Sequence, residues 1–329
     1  MNPAAGRQQP LASLSLDLDN LWSYMKTHGD SGWEGYPSYL DIVVPRVLDI
    51  LDELGLKITF FIVGRDAERE ENRAALRAIA ERGHEAGNHS YNHEPWLGAN
   101  GKEVMQREIA LAEENIIAAT GQRPMGFRGP GFSWSLHHLS ILAERGYLFD
   151  ASTLPTYLGP LARAYYFRTS NLSDEEKELR KDLYGNFRDG LRPVKPYRWL
   201  LPGGRTILEI PVTTMPLVKA PFHLSYLLYL SRYSGSLARL YLQLAIGMCR
   251  LTGTSPSFLL HPLDLIGGDE VKEVSFFPGM DIAGSRKIEL FKSVIHLLSR
   301  HYRVVSMNRH AGEILRNGNL RQVALKEGH

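Results

Sequence analysis

The chain has 329 residues, 43% of them hydrophobic and 22% charged, with 38 Lys or Arg against 36 Asp or Glu. That length supports one large domain or two modest ones, and the apolar fraction supplies a core, which excludes a disordered chain. A formal charge of +2 excludes a global polyanion binder, and a single cysteine, Cys249, excludes a disulfide framework and a cysteine-rich zinc finger.

Residues 14–18 read as a short buried strand, and residues 41–54 carry helical apolar spacing that stops at Gly55. A second buried strand spans 57–63, a helix 66–82, a strand 84–88, and a helix 103–120 closed by Gly121. A brief strand at 125–128, a helix at 133–145 and a strand from 147 to 150 follow. Strand then helix, repeated with glycine at helix ends, predicts parallel β/α units, and such folds gather their chemistry at the carboxyl ends of strands. The rhythm fails from about 151 to 256. It returns with a strand at 257–261, a helix at 282–300 and a strand at 302–306. One catalytic domain over 1–329 with an insertion at about 151–256 fits better than two domains. Residues 1–12 hold no apolar stretch long enough for a secretory leader, which with the lone cysteine points to the cytoplasm.

Four groups of residues carry chemistry. His89-Ser90-Tyr91-Asn92-His93 sets two imidazoles at i and i+4, a spacing that on a helical turn lets both bind one metal. Asp17-Leu18-Asp19 sends two carboxylates to one side of the first strand, where they repel unless a cation or a proton intervenes. A divalent ion held by one of them with His89 and His93 resolves that repulsion and leaves the other as a general base. In Arg128-Gly129-Pro130-Gly131-Phe132, the glycines and proline expose backbone amides that suit a developing oxyanion, and the arginine can hold a carboxylate. His261, at the end of an apolar strand, suits a general acid for a departing amine. No P-loop, G-x-S-x-G elbow or RNA-binding pattern occurs, which argues against phosphoryl transfer, serine hydrolysis and nucleic-acid partners.

The order of these signals (Asp-x-Asp, H-x-x-x-H, R-x-P-x-F, Asp150, then a late strand ending in His) resembles the polysaccharide deacetylase family. That family carries the NodB homology domain and is similar to carbohydrate esterase family 4. The resemblance covers residues 13–150 and resumes from 256 to 306. It implies an α/β fold of the distorted (β/α)7 barrel type that hydrolyses acyl groups on sugars with one divalent metal. Zn2+ is the commonest, with Co2+, Ni2+ or Mn2+ as alternatives. By motif position, Asp17 is the implied base, and Asp19, His89 and His93 are the implied metal ligands. Arg128 would orient Asp17, backbone near Gly131 and Phe132 would bind the oxyanion, His261 would protonate the amine, and Asp150 would tune that histidine. Polysaccharide-processing members usually have adjacent aspartates followed by glycine, and an aromatic after the motif proline. Asp17-Leu18-Asp19-Asn20 and Gly131 depart from that pattern. This variant is similar to the branch acting on lipid-linked sugars, such as the deformylase of undecaprenyl-phosphate aminoarabinose, and to the allantoinase-like branch that opens small cyclic amides.

Charge and hydropathy favour the lipid-linked substrate. Residues 163–263 hold 14 basic against 7 acidic side chains, and none of 210–263 is acidic. Within 224–251, the polar positions Ser225, Arg232, Ser236, Arg239, Gln243 and Arg250 form a narrow stripe at helical period beside a wide apolar arc. A span across the membrane would bury Arg232 and Arg239 at about 2.5–3.5 kcal/mol each, and would separate His261 from His89. The expectation is a helix pair packed on the barrel or an interfacial basic helix at a membrane surface. Arg163, Arg168, Lys195 and Arg198 are the candidates for contact with a lipid or substrate phosphate. The acylated amino sugar is then the partner, met by a cytoplasmic enzyme peripheral to the inner membrane face.

Overall fold

In the computed structural model, residues 9–181, 183 and 185–325 are described; residues 1–8, on which the expectation about a secretory leader partly rests, lie outside them. The strands are β1 (Leu11–Leu18), β2 (Thr59–Ile62), β3 (Glu85–Asn88), β4 (Gly126–Phe127), β5 (Phe149–Asp150), β6 (Tyr197–Leu200), β7 (Thr206–Glu209), β8 (Ser257–Leu260), β9 (Arg303–Val305) and β10 (Gln322–Ala324). They form one sheet in the order β10-β6-β7-β5-β4-β3-β2-β1-β8, with β9 also on β1, and only β6 and β7 run antiparallel. Every residue of β1 is buried, as a central strand covered on both faces requires. The fold is α/β, as expected.

The sheet does not close through a ladder among the described residues. Beyond β7 the chain spans the gap to β8 by two bonds, Thr213 N–H to Ser257 O at 3.0 Å and Ser257 N–H to Thr213 Oγ1 at 2.8 Å. Pro211, which has no N–H to give a ladder, stands where β7 would have to continue.

Helices Leu40–Glu53, Lys102–Thr120, Leu136–Glu144 and Gly284–Ser299 lie where the periodicity puts them, within a few residues. The helix expected at 66–82 is instead Gly64–Glu68, a 3-10 turn at Glu70–Asn72, and Arg73–Glu81. Asp66 is the reason: its carboxylate is buried and accepts Asn20 Nδ2 at 2.7 Å and Trp22 Nε1 at 2.8 Å, while Asn72 Nδ2 caps its carbonyl at 3.2 Å. Residues 151–256 supply β6 and β7 to the sheet, then the helices Leu224–Ser231 and Gly235–Thr252 outside it. A last helix, Met307–Arg316, packs across the starts of β1 and β2. Met307 N–H donates to Thr59 Oγ1 (2.9 Å), His310 Nδ1 meets Ser13 Oγ (2.9 Å), and Met307 Sδ lies 3.6 Å from Arg128 Nη2. It forms the floor beneath the residues described next.

Candidate metal centre and active site

Asp19 follows the last residue of β1, and His89 follows the last residue of β3. Asp19 Oδ1 lies 3.3 Å from His89 Nε2 and 2.9 Å from His93 Nε2, and the three donor atoms fall within 4.8 Å of one another. All three residues are buried. Burial alone would raise the Asp19 carboxyl, but the two imidazoles outweigh it and hold it well below the usual carboxylate range. Burial lowers His93. Asp19 Oδ1 is buried with no hydrogen-bond partner, and an orphaned carboxylate oxygen between two imidazole nitrogens is a donor set suited to a divalent ion.

The histidines do not meet on a helix. Residues 89–93 form an irregular turn in which Ser90 (φ 61°) and His93 (φ 49°) adopt left-handed backbone. Glu108 holds the turn, accepting Tyr91 N–H at 3.0 Å and Asn92 N–H at 2.9 Å on Oε2, and Asn88 Oδ1 accepts Ser90 N–H at 2.9 Å. Sequence reasoning missed Glu108, although a signal existed: it is a carboxylate on the buried face of Lys102–Thr120, beside Met105, Ile109 and Ala112.

Asp17 takes a different partner. Arg128, itself fully buried, donates from Nη1 to Asp17 Oδ1 at 2.7 Å and to Ser15 Oγ at 2.9 Å, and from Nε to Ala151 O at 3.0 Å. The guanidinium sits 4.4 Å from the Phe61 ring centroid. The two carboxylates of β1 are thus separated by function: one faces a cation, the other faces two imidazoles.

His261, just past β8, meets Asp264 rather than Asp150. Asp264 Oδ2 lies 3.8 Å from Nδ1 and accepts the His261 N–H at 2.9 Å, and Ser225 Oγ lies 3.4 Å from Nδ1. Burial would lower this imidazole, but Asp264 more than offsets it, with Asp19 and Asp17 adding, so it is pushed up to about 9. The expectation that Asp150 tunes His261 is corrected. Asp150 ends β5 and faces His138 Nε2 (3.3 Å) and Ser152 Oγ (2.7 Å), because β5 lies on the far side of β4 from β1. Asp264 carries the H-P-L-D spacing that could have revealed it. The oxyanion expectation also changes at Phe132: its N–H donates to Gly129 O at 3.0 Å, closing a tight turn, and so is not offered to a ligand. Gly131 (φ 59°) remains the candidate amide.

Residues 30–149 match the profile of the family described as polysaccharide deacetylase. This stretch of the chain is similar to that family. The polysaccharide deacetylase relatives include a peptidoglycan deacetylase-like protein of Gibberella zeae, 30% identical over 157 residues and 45% of each chain. A peptidoglycan deacetylase of Helicobacter pylori is 24% identical over 58% of this chain and 66% of its own, and a chitooligosaccharide deacetylase of Sinorhizobium fredii 32% identical over 37% and 60%. The matches thus span 45% to 66% of these relatives' lengths. A crystal structure assigned as a polysaccharide deacetylase of Mycobacterium smegmatis superposes over 100% of this chain and 99% of its own, with a TM-score of 0.62 at 18% identity, and so shares the fold.

On this polysaccharide deacetylase fold the candidate phosphate contacts do not converge. Arg163 gives Nη1 to Leu183 O (3.2 Å) and Gly185 O (3.1 Å). Lys195 and Arg198 do not reach the triad end of the sheet. Lys195 is exposed and lines a cavity of about 500 Å3 with Gly253 and Thr254, ahead of β8, whereas the triad lies past the ends of β1 and β3. Arg198 is on β6 against β10, and Arg168 is exposed on Gly159–Thr169. The helices of 224–251 form the expected packed pair and also leave apolar side chains exposed. Leu227, Leu228, Leu242 and Ile246 pack into the core, while Tyr229, Tyr233, Leu237, Leu240, Leu244 and Leu251 face outward, Leu251 being 83% exposed. Among the described residues no helix is long and apolar enough to cross a membrane.

Proposed function

We propose that the protein is a divalent-metal-dependent hydrolase that removes an N-acyl group, acetyl or formyl, from an amino sugar carried on a lipid phosphate. Asp19, His89 and His93 would hold the ion, most readily Zn2+, and when bound it supplies a Lewis acid for the acyl oxygen. Asp17 takes the proton of the attacking water, its carboxylate aimed by Arg128. His261, kept protonated beside Asp264, returns a proton to the departing nitrogen. Gly131 N–H is the protein's own candidate donor to the oxyanion.

The observation that carries this reading is the division of labour at β1: Asp17 on a guanidinium and Asp19 on two imidazoles, one residue apart in sequence. The lipid-borne substrate is supported by the outward Tyr and Leu stripe, by the absence of acidic side chains over 210–263, and by continuity. Ser225, in the first of these helices, touches His261. The reading includes a cytoplasmic protein lying against the anionic inner face of a membrane. The names of the relatives from Helicobacter pylori and Sinorhizobium fredii favour a second reading, a soluble or wall-derived N-acetyl glycan. Acetate and formate release from lipid extracts and from N-acetylglucosamine oligomers, with the zinc-loaded protein, separates the two. Release from neither, by a protein that binds zinc, would sink the proposal.

A further inference from the structure

The peptide unit between Arg128 and Gly129 is held at both ends. Its carbonyl lies 2.6 Å from His89 Nδ1, and its N–H donates to Ser152 Oγ at 2.8 Å. Ser152 Oγ–H in turn donates to Asp150 Oδ1 at 2.7 Å. Arg128, Ser152 and Asp150 are fully buried and His89 nearly so, so water does not compete for these groups. A carbonyl oxygen only accepts, so His89 Nδ1 carries the proton and Nε2, the atom facing Asp19, presents its lone pair. Imidazole N–H, peptide N–H and hydroxyl O–H therefore all point one way, and the series ends on a carboxylate.

Bonds aligned in this manner polarise one another in a buried site. The neighbouring contacts keep the alignment. Ala151 N–H donates to Phe127 O at 2.8 Å, and Ala151 O accepts Arg128 Nε at 3.0 Å, so residues 151–152 are stitched to 127–129 on both sides of the peptide. A Cβ on Gly129 would stand 1.9 Å from Ser133 O, so this close approach requires glycine. Glu209, beside Asp150, is pushed well above the usual carboxyl range by burial and by Asp150 itself. It therefore retains a proton, which leaves Asp150 as the charged end of the series.

We propose that Asp150 is a positioning residue for His89: through Ser152 and the Arg128–Gly129 peptide it fixes the tautomer of that imidazole and strengthens Nε2 as a ligand for a divalent cation. A metal-bound histidine ordinarily gives its second N–H to a carboxylate or carbonyl; here a carboxylate acts through a hydroxyl and a carbonyl in turn. The inference rests on the reading of Asp19, His89 and His93 as metal ligands.

The test uses the full chain, freed of metal, with zinc as the probe and Ser152→Ala as the variant. In the metal-free protein the His89 Nδ1–H resonance moves upfield, and zinc affinity by chelator competition falls about tenfold, while the other imidazole resonances hold their places. Asp150→Asn, which keeps the volume and removes the charge, moves both readouts the same way and serves if Ser152→Ala does not fold. A His89 Nδ1–H resonance that stays in place overturns the proposal, and so does unchanged zinc affinity. A parent protein that takes up no zinc would instead defeat the metal-centre reading, while the metal-free resonance would still decide the series of bonds.

Discussion

Residues 11–150 and residues 151–256 meet different demands. In the first stretch, β1 to β5 are all parallel, and Asp17, Asp19, His89, Arg128 and Asp150 stand at or just past strand ends, every one of them buried. Asp17, His89, Arg128 and Asp150 each have a hydrogen-bond partner there, as buried polar groups require, whereas Asp19 Oδ1 has none. In the second stretch, β7 stays parallel to β5 but β6 runs antiparallel to it, and Leu161, Phe187, Leu191, Tyr233 and Leu251 point outward. Apolar surface of this kind is retained where something apolar meets it. Regular β/α units thus bring the candidate site residues together, while the irregular stretch leaves apolar side chains exposed.

Four variants would break or sharpen that contrast, and the largest effect belongs to the first stretch. Asp17→Asn should lower kcat about 1000-fold, within the range for losing a general base, and leave zinc content unchanged by elemental analysis. A variant that kept near-parental turnover would remove Asp17 from the mechanism. Next is Glu108→Ala, which leaves the Tyr91 and Asn92 amides without their acceptor. It should cost about 2–3 kcal/mol in urea unfolding, with zinc affinity reduced as the 89–93 turn loosens.

The third substitution lies just beyond the second stretch. His261, held at about 9, is a protonated acid that is lost as pH rises through that value. The alkaline limb of kcat/KM should therefore lie near 9, and in Asp264→Asn it should fall toward the ordinary imidazole value of 6.5. The same sign holds for stability. The His261–Asp264 contribution is complete below 6.5 and disappears by about 9, a loss that unfolding at several pH values would record. The smallest effect is at the outward stripe. Leu240→Ser with Leu244→Ser should weaken co-sedimentation with phosphatidylglycerol vesicles about 30-fold, since each lost side chain forfeits about 1 kcal/mol of apolar transfer. Hydrolysis of a soluble N-acetyl sugar should be unchanged by the pair.

Most of the first stretch is legible in the sequence. Strand periodicity and glycine stops located β1 to β5, and the Asp-x-Asp and H-x-x-x-H spacings located Asp19, His89 and His93, which do converge. The reason offered for the histidine pair was nevertheless wrong. They meet through left-handed backbone at Ser90 and His93, a feature that i,i+4 spacing cannot distinguish from a helix. Asp150 was noticed for its strand end and given the wrong neighbour, since sequence order does not say which strands adjoin across a sheet. Asp264 and Glu108 were missed because their roles depend on groups that folding alone brings near them. The second stretch was read by charge and hydropathy only. That reading anticipated a helix pair with apolar faces and missed β6 and β7, whose pairing with β10 and β5 is non-local.

The helix beginning at Met307 has a consequence for how the protein comes into being. Its first turn touches Thr59 and Arg128, and β9 just before it pairs with β1. During synthesis, a ribosome that has released residues 1–150 has already delivered both aspartates and both histidines, yet not the support under Arg128. The nascent chain must emerge past Met307 before the site around Asp17 and Asp19 has this support, so a product arrested earlier should lack the proposed activity although it carries Asp19, His89 and His93.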